Sequence, residues 1–212
     1  RELAVIGAAI FAVRWLVPAH PGTLVIVGAG LAWWAVAFLW ILRYPRRISR
    51  LTAFVCGFLV LVPAWVALYS LAESAGKGRV LLLFALVIIW SADVGAYFAG
   101  RLWGRVKLAP SVSPGKTWEG VLGGLAFAAV AAMTGAALLG FPAATAAPLG
   151  MSVAAISVVG DLTVSMFKRN AGLKDSGHLF PGHGGVLDRV DSITAAAPLF
   201  LLEASWAGWV ML

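Results

Sequence analysis

Seven apolar runs follow one another along the chain, at approximately 3–17, 24–42, 52–71, 80–100, 118–140, 148–167 and 190–212, with short polar breaks between them. A hydrocarbon core about 30 Å thick takes roughly 20 apolar residues per helix. An open strand could not satisfy its backbone in lipid, so the runs read as helices. The pattern predicts an all-α, polytopic integral membrane protein with about seven transmembrane segments. It forms a single transmembrane domain over 1–212, with N-terminal spans in 1–79 and the chemistry in 80–212. The first run, Leu3 to Val17, is short for a span, which leads us to expect further residues before it. Arg14 interrupts that run and no small-residue cleavage site follows, so it does not read as a cleavable signal.

Composition strengthens the membrane reading. The chain is 61% hydrophobic and only 12% charged, with mean hydropathy +0.93, and this excludes an ordinary soluble domain. The single cysteine, Cys56, lies inside an apolar run, which excludes a disulfide framework and a cysteine-based metal site. Charge adds an orientation. When the loops alternate between sides, 43–50, 101–116 and 161–191 share one face, and each carries four Lys or Arg. The opposite loops 18–23 and 141–147 carry none, and 72–79 holds only Lys77 and Arg79. The positive-inside rule then places the basic loops in the cytoplasm of a cell inner membrane or its equivalent. The net charge of +7 is accounted for by topology and attraction to anionic lipid, without a nucleic-acid partner. Trp15, Trp40, Trp103, Trp118, Trp206 and Trp209 fall near span ends, as in an aromatic belt. Trp33, Trp34, Trp65 and Trp90 fall deeper and are expected to pack.

One window breaks the apolar monotony. "DLTVSMFKRNAGLKDSGHLFPGHGGVLDRVD" (161–191) holds four of the nine acidic residues and two of the three histidines. An ionisable residue inside a span is costly and points to a cavity or a partner. Asp93 and Asp161 both lie within predicted spans, each six or seven residues from the cytoplasmic end, about 10 Å deep at 1.5 Å per residue. Ser157, Ser165 and Lys168 fall at i−4, i+4 and i+7 from Asp161 and share its face. After Gly184 and Gly185 the apolar pattern resumes, predicting a helix from about Val186 with Asp188 and Asp191 on one face and Arg189 between them. Capping accounts for one acid there. Oxygen ligands from separate helices suit magnesium, which keeps water and substrate phosphates as further ligands, and Asp161 with Asp188 reads as such a site.

Phosphates also need cations and backbone donors. "SVSPGKTWEG" (111–120) offers Ser113, a Pro114-Gly115 turn, Lys116 and Thr117 ahead of a helix whose free N–H groups favour an anion. It lacks the Walker A pattern, and a plain basic loop tip explains it equally well. Lys168, Arg169, Lys174 and Arg189 complete a cationic set suited to a polyphosphate. His178 and His183 read as loop hydrogen bonding or substrate contact rather than metal ligands.

Ser165 to Asp191 resembles the signature of the phosphatidate cytidylyltransferases (CDP-diacylglycerol synthases): S-x-x-K-R, four residues, K-D, then P-x-H-G-G-x-x-D-R-x-D, with no departure. The stretch "DVGAYFAGRLWGRVKLAPSVSPGKTWEG" (93–120) is also similar to that family. The resemblance implies attack of a phosphatidate phosphate on the α-phosphorus of CTP, yielding CDP-diacylglycerol and pyrophosphate. It implies magnesium at Asp161 and Asp188, with Asp93 as a further metal candidate, a potassium ion beside it, and a homodimer. Asp161, Asp188, Lys168 and Arg189 are the expected catalytic residues. Ser113, Lys116, Ser165, Arg169, Lys174, Asp175, His183, Gly184, Gly185 and Asp191 are the expected substrate contacts. Three other readings compete: a cytidylyltransferase for an isoprenoid ether phospholipid, a CDP-alcohol phosphotransferase, and a transporter. The phosphotransferase motif D-G-x-x-A-R is absent, and a transporter predicts polar positions in both membrane halves, whereas the extracytoplasmic halves look almost wholly apolar.

Overall fold

The structure, a computed structural model, describes residues 21–44, 48–177 and 185–211. Six long helices follow in order: α1 (Pro21–Leu42), α2 (Arg50–Glu73), α3 (Gly78–Trp103), α4 (Trp118–Leu139), α5 (Ala143–Asn170) and α6 (Leu187–Trp206). Between α3 and α4 lies a small antiparallel hairpin, β1 (Lys107–Ala109) and β2 (Ser113–Thr117), pairing Lys107 with Thr117 and Ala109 with Ser113. Helices α1 to α5 are long and apolar enough to cross a membrane. The predicted first span lies outside the described residues. The predicted seventh is α6, whose first turns carry Asp188, Arg189 and Asp191, so its charge keeps it short of the apolarity of the other five.

Local chemistry sets the element ends. Ser49 caps α2 by accepting from the Thr52 N–H at 3.1 Å, and Thr117 caps α4 by accepting from the Gly120 N–H at 3.1 Å. Gly140 ends α4 in the left-handed region at φ 76°, where its N–H and that of Phe141 close on the last carbonyls. The observed α3 and α5 run three residues past their predicted ends, which sinks Asp93 and Asp161 to about 14 Å below the helix ends.

Small residues let these helices meet closely. Gly120, Gly124, Ala128, Ala132 and Ala136 are buried at every fourth position of α4. A Cβ at Gly124 would lie 2.9 Å from the Ala92 carbonyl oxygen of α3, and one at Gly150 of α5 would lie 2.6 Å from that of Ala128. Lipid tails are as apolar as leucine, so close backbone approach and dispersion hold such a bundle together. The main core lies at the end away from the basic loops, where Phe84, Phe200, Phe141 and Trp209 gather. Trp209 therefore departs from the expected belt position: it is buried and stacked 4.7 Å from Phe141. Trp34 packs as expected, but Trp65 and Trp90 are about half exposed, an orientation that lipid accommodates without cost. Cys56 is free and buried.

The basic loops gather at one end. Asn170 brackets the backbone of Ile48, accepting from its N–H at 2.9 Å and donating to its carbonyl at 3.0 Å. Arg169 donates to the carbonyls of Val112 and Leu173, both at 3.4 Å. At the opposite end the Lys77 ammonium covers the Leu139 carbonyl.

Candidate active site

A cavity of about 950 Å³ opens among α3, the hairpin, α4, α5 and the start of α6. Asp93 reaches it from α3, Lys116 from β2, Asp161 and Lys168 from α5, Lys174 and Asp175 from the following loop, and Asp188, Arg189 and Asp191 from α6. Residues dispersed over a hundred positions thus share one wall. Ser157, buried on α5, also lines it.

Gly160 lets the backbone of α6 approach α5 beside Asp161. A Cβ there would lie 2.7 Å from the Asp191 carbonyl oxygen and 2.8 Å from the Ala195 Cβ, so only glycine lets α6 lie this close to α5 beside Asp161. Asp161 repels both Asp93 and Asp191 electrostatically, and Lys116 attracts both of those acids. The Lys116 ammonium pairs directly with Asp161 at 2.5 Å, and the Ser165 hydroxyl donates to the other Asp161 oxygen at 3.2 Å. The Asp93 side chain makes no hydrogen bond or ion pair among the described residues, and its carboxylate lines the cavity.

Asp188 is held differently. One oxygen accepts from Lys168 at 2.7 Å; the other accepts from the Ser176 N–H at 2.8 Å, the Ser176 hydroxyl at 2.9 Å and the Gly185 N–H at 2.9 Å. Asp188 precedes the apolar part of α6. Burial alone would raise its carboxyl, but Lys168 and the Ser176 and Gly185 donors outweigh burial and hold it well below the usual carboxylate range. The same contacts tie Ser176 and Gly185 to the start of α6.

The remaining expected contacts divide. Ser113 and Arg169 do not line the cavity; Ser113 sits in β2, and Arg169 ties the Val112 and Leu173 carbonyls together. Gly185 serves the cavity through Asp188. His183 and Gly184, like His178, lie outside the described residues. Within 111–120, the expected Pro114-Gly115 turn is instead part of strand β2 (Ser113–Thr117), which leads straight into α4 and brings Lys116 to Asp161. Tyr97 and Arg101 also line the cavity and were not singled out in the sequence, although Asp93, Tyr97 and Arg101 recur at i, i+4 and i+8 on one helix face. Glu203 was likewise overlooked. It accepts a 2.7 Å hydrogen bond from the Ser152 hydroxyl, so the half of the bundle away from the site is not wholly apolar. Neither residue lines the cavity.

A family model described as the Cytidylyltransferase family matches residues 1–205. The chain belongs to the cytidylyltransferase family. Among its relatives, a phosphatidate cytidylyltransferase of Pseudomonas aeruginosa is 43% identical over 201 residues, covering 84% of this chain and 68% of the relative. One of Haemophilus influenzae is 44% identical over 186 residues, covering 80% and 65%. One of Brucella suis is 39% identical over 182 residues, covering 85% and 66%. The chain thus spans about two thirds of the length of these relatives. The cavity lining brings carboxylates and cations together in a volume of about 950 Å³.

Proposed function

We propose that this chain transfers the cytidylyl group of CTP to phosphatidate, forming CDP-diacylglycerol and pyrophosphate for phospholipid synthesis. The observation that carries this reading is the convergence of Lys116, Asp161, Lys168, Asp188 and Arg189 on one cavity at the basic end of the bundle. The names of its relatives support the choice of substrates. The phosphatidate phosphate is itself the nucleophile, so no serine, cysteine or histidine nucleophile is required. The protein's task is to bring two anions into line and neutralise their charge.

Magnesium fits the donors present. It binds through one or two carboxylates and fills its remaining positions with water and phosphate; Asp161 and Asp93 both face the cavity, and Asp161 stands at the centre of the acidic group. Asp161 is its principal protein ligand in this reading. Asp188, whose oxygens are now held by Lys168, Ser176 and Gly185, and Asp93 would be the further carboxylates able to hold the ion. When bound, the ion would draw the phosphates of the two substrates together and screen their repulsion.

The lysines then change partners. Lys116 and Lys168 pair with Asp161 and Asp188 and turn to the triphosphate when it enters, with Arg189 beside them. On phosphoryl transfer they stabilise the charge that gathers on departing pyrophosphate. The basic loops face the cytoplasm, which supplies CTP, while the lipid remains in the inner leaflet. The test is to incubate purified protein with α-labelled CTP and magnesium, with and without phosphatidate. Lipid-dependent label in an organic-soluble product, matched by pyrophosphate release, supports the reading; pyrophosphate release that ignores the lipid refutes it.

A further inference from the structure

The cations of the cavity are not equivalent. Lys116 and Lys168 are each paired with a carboxylate. Arg101, on the last turns of α3, makes no ion pair among the described residues. Its Nη1 instead donates to the Tyr97 hydroxyl at 2.6 Å, and its guanidinium lies 5.9 Å from the same ring's centroid. Both side chains line the cavity, yet both are also exposed, Tyr97 by 56%. They therefore stand at its rim, where the interior meets the outer surface of the bundle.

That outer surface is apolar and continuous. Leu83, Val87, Trp90 and Val94 are each between 41% and 55% exposed, and with Tyr97 and Arg101 they recur every three or four residues along α3. The stripe spans roughly 27 Å at 1.5 Å per residue, most of the hydrocarbon thickness. It begins at an arginine without an anion and continues as a surface suited to hydrocarbon. An amphiphile with a phosphate at one end and acyl chains at the other matches both halves.

We propose that Arg101 and Tyr97 form the headgroup clamp for the lipid phosphate at the membrane-facing rim, with the acyl chains lying along the α3 stripe. This deepens the reaction proposed above and rests on it for the identity of the lipid, phosphatidate. The guanidinium offers a planar fork of donors that matches two phosphate oxygens, geometry that a lysine lacks. The Tyr97 hydroxyl holds that fork in place and can donate a further bond to the phosphate. Because Asp93 lies two turns deeper on the same face, the clamp sets the phosphate at the cavity mouth, facing the acids and lysines that receive the nucleotide.

The test uses the full chain in mixed micelles, varying phosphatidate at saturating CTP and CTP at saturating phosphatidate. For Arg101→Gln the KM for phosphatidate should rise about tenfold or more, the loss expected for a charge-assisted hydrogen bond, while the KM for CTP stays within about twofold. Arg101→Lys should fall between wild type and Arg101→Gln, and Tyr97→Phe should raise the phosphatidate KM about threefold. Retention of phosphatidate by the purified protein without CTP, read by native mass spectrometry, should fall in Arg101→Gln, while retention of diacylglycerol should not. An unchanged phosphatidate KM, or a rise in the CTP KM instead, overturns the clamp. So does conversion of a dimer to a monomer with lipid KM unchanged, which would assign the stripe to a second copy of the chain. Arg101-dependent retention in a wild-type protein that never turns over CTP would retain the clamp and remove the reaction. Normal wild-type turnover with an unaffected Arg101→Gln would do the reverse.

Discussion

At the scale of single residues, the site is organised by counter-ions. Lys116 neutralises Asp161, so Lys116→Ala both exposes an acid to its acidic neighbours and removes a phosphate contact. We expect its KM for CTP to rise about 10- to 100-fold with the protein still folded, checked by initial rates beside a thermal melt. Asp188 carries two duties. Asp188→Asn keeps the shape but gives up the charge that collects Lys168, Ser176 and Gly185. It should lose nearly all turnover, and limited proteolysis should cut the loop after α5 faster than in wild type. Asp191→Asn and Asp93→Asn should cost less, about 10- to 100-fold, Asp191 more than Asp93. The polar face of Asp161 was legible in the sequence because helical spacing alone puts Ser157, Ser165 and Lys168 beside it. The double engagement of Asp188 was not, because its partners Lys168, Ser176 and Gly185 lie 20, 12 and 3 residues upstream, a spacing with no periodic signal.

At the scale of elements, glycine and alanine decide the geometry. In the sequence the run of α4 reads only as apolar; in the bundle its every-fourth-residue stripe sets how near α3 and α5 approach. Gly160→Ala tests the close approach of α6 to α5 beside Asp161. Its Cβ would press on α6 backbone rather than on a flexible side chain, so α6 must move and carry Asp188 and Asp191 with it. We expect a stability loss of about 1–3 kcal/mol and at least a tenfold fall in kcat, measured by melting and by saturation kinetics. Asn170→Ala should behave oppositely, losing two hydrogen bonds to Ile48 and about 1–2 kcal/mol with kcat little changed. That bracket joins residues 122 positions apart, and local pattern carries no trace of such a pairing. The hairpin escaped the sequence reading for a related reason: its strands are three and five residues long, too short for an alternation to register.

For the whole molecule, the spans were legible because bilayer thickness imposes helix length, and the predicted and observed ranges agree within a few residues over 24–167. The ends of the bundle differ in kind: one packs phenylalanine and tryptophan, the other gathers the carboxylates and cations. That polarity makes orientation testable. A Lys107→Cys substitution in a Cys56→Ala background should react with an impermeant maleimide from the cytoplasmic side only. The same polarity concentrates the chemistry around Asp161, in a cavity shared with Asp93, Asp191 and Lys116. The most direct measurement is phosphatidate-dependent transfer of label from α-labelled CTP into lipid, followed against magnesium concentration for wild type and Asp161→Asn, with folded protein quantified in both. Wild type should form the liponucleotide with saturable magnesium dependence, and Asp161→Asn should be nearly inactive with little recovery in excess magnesium. A folded Asp161→Asn protein with near-normal turnover and magnesium dependence would contradict the proposed site and the mechanism built on it.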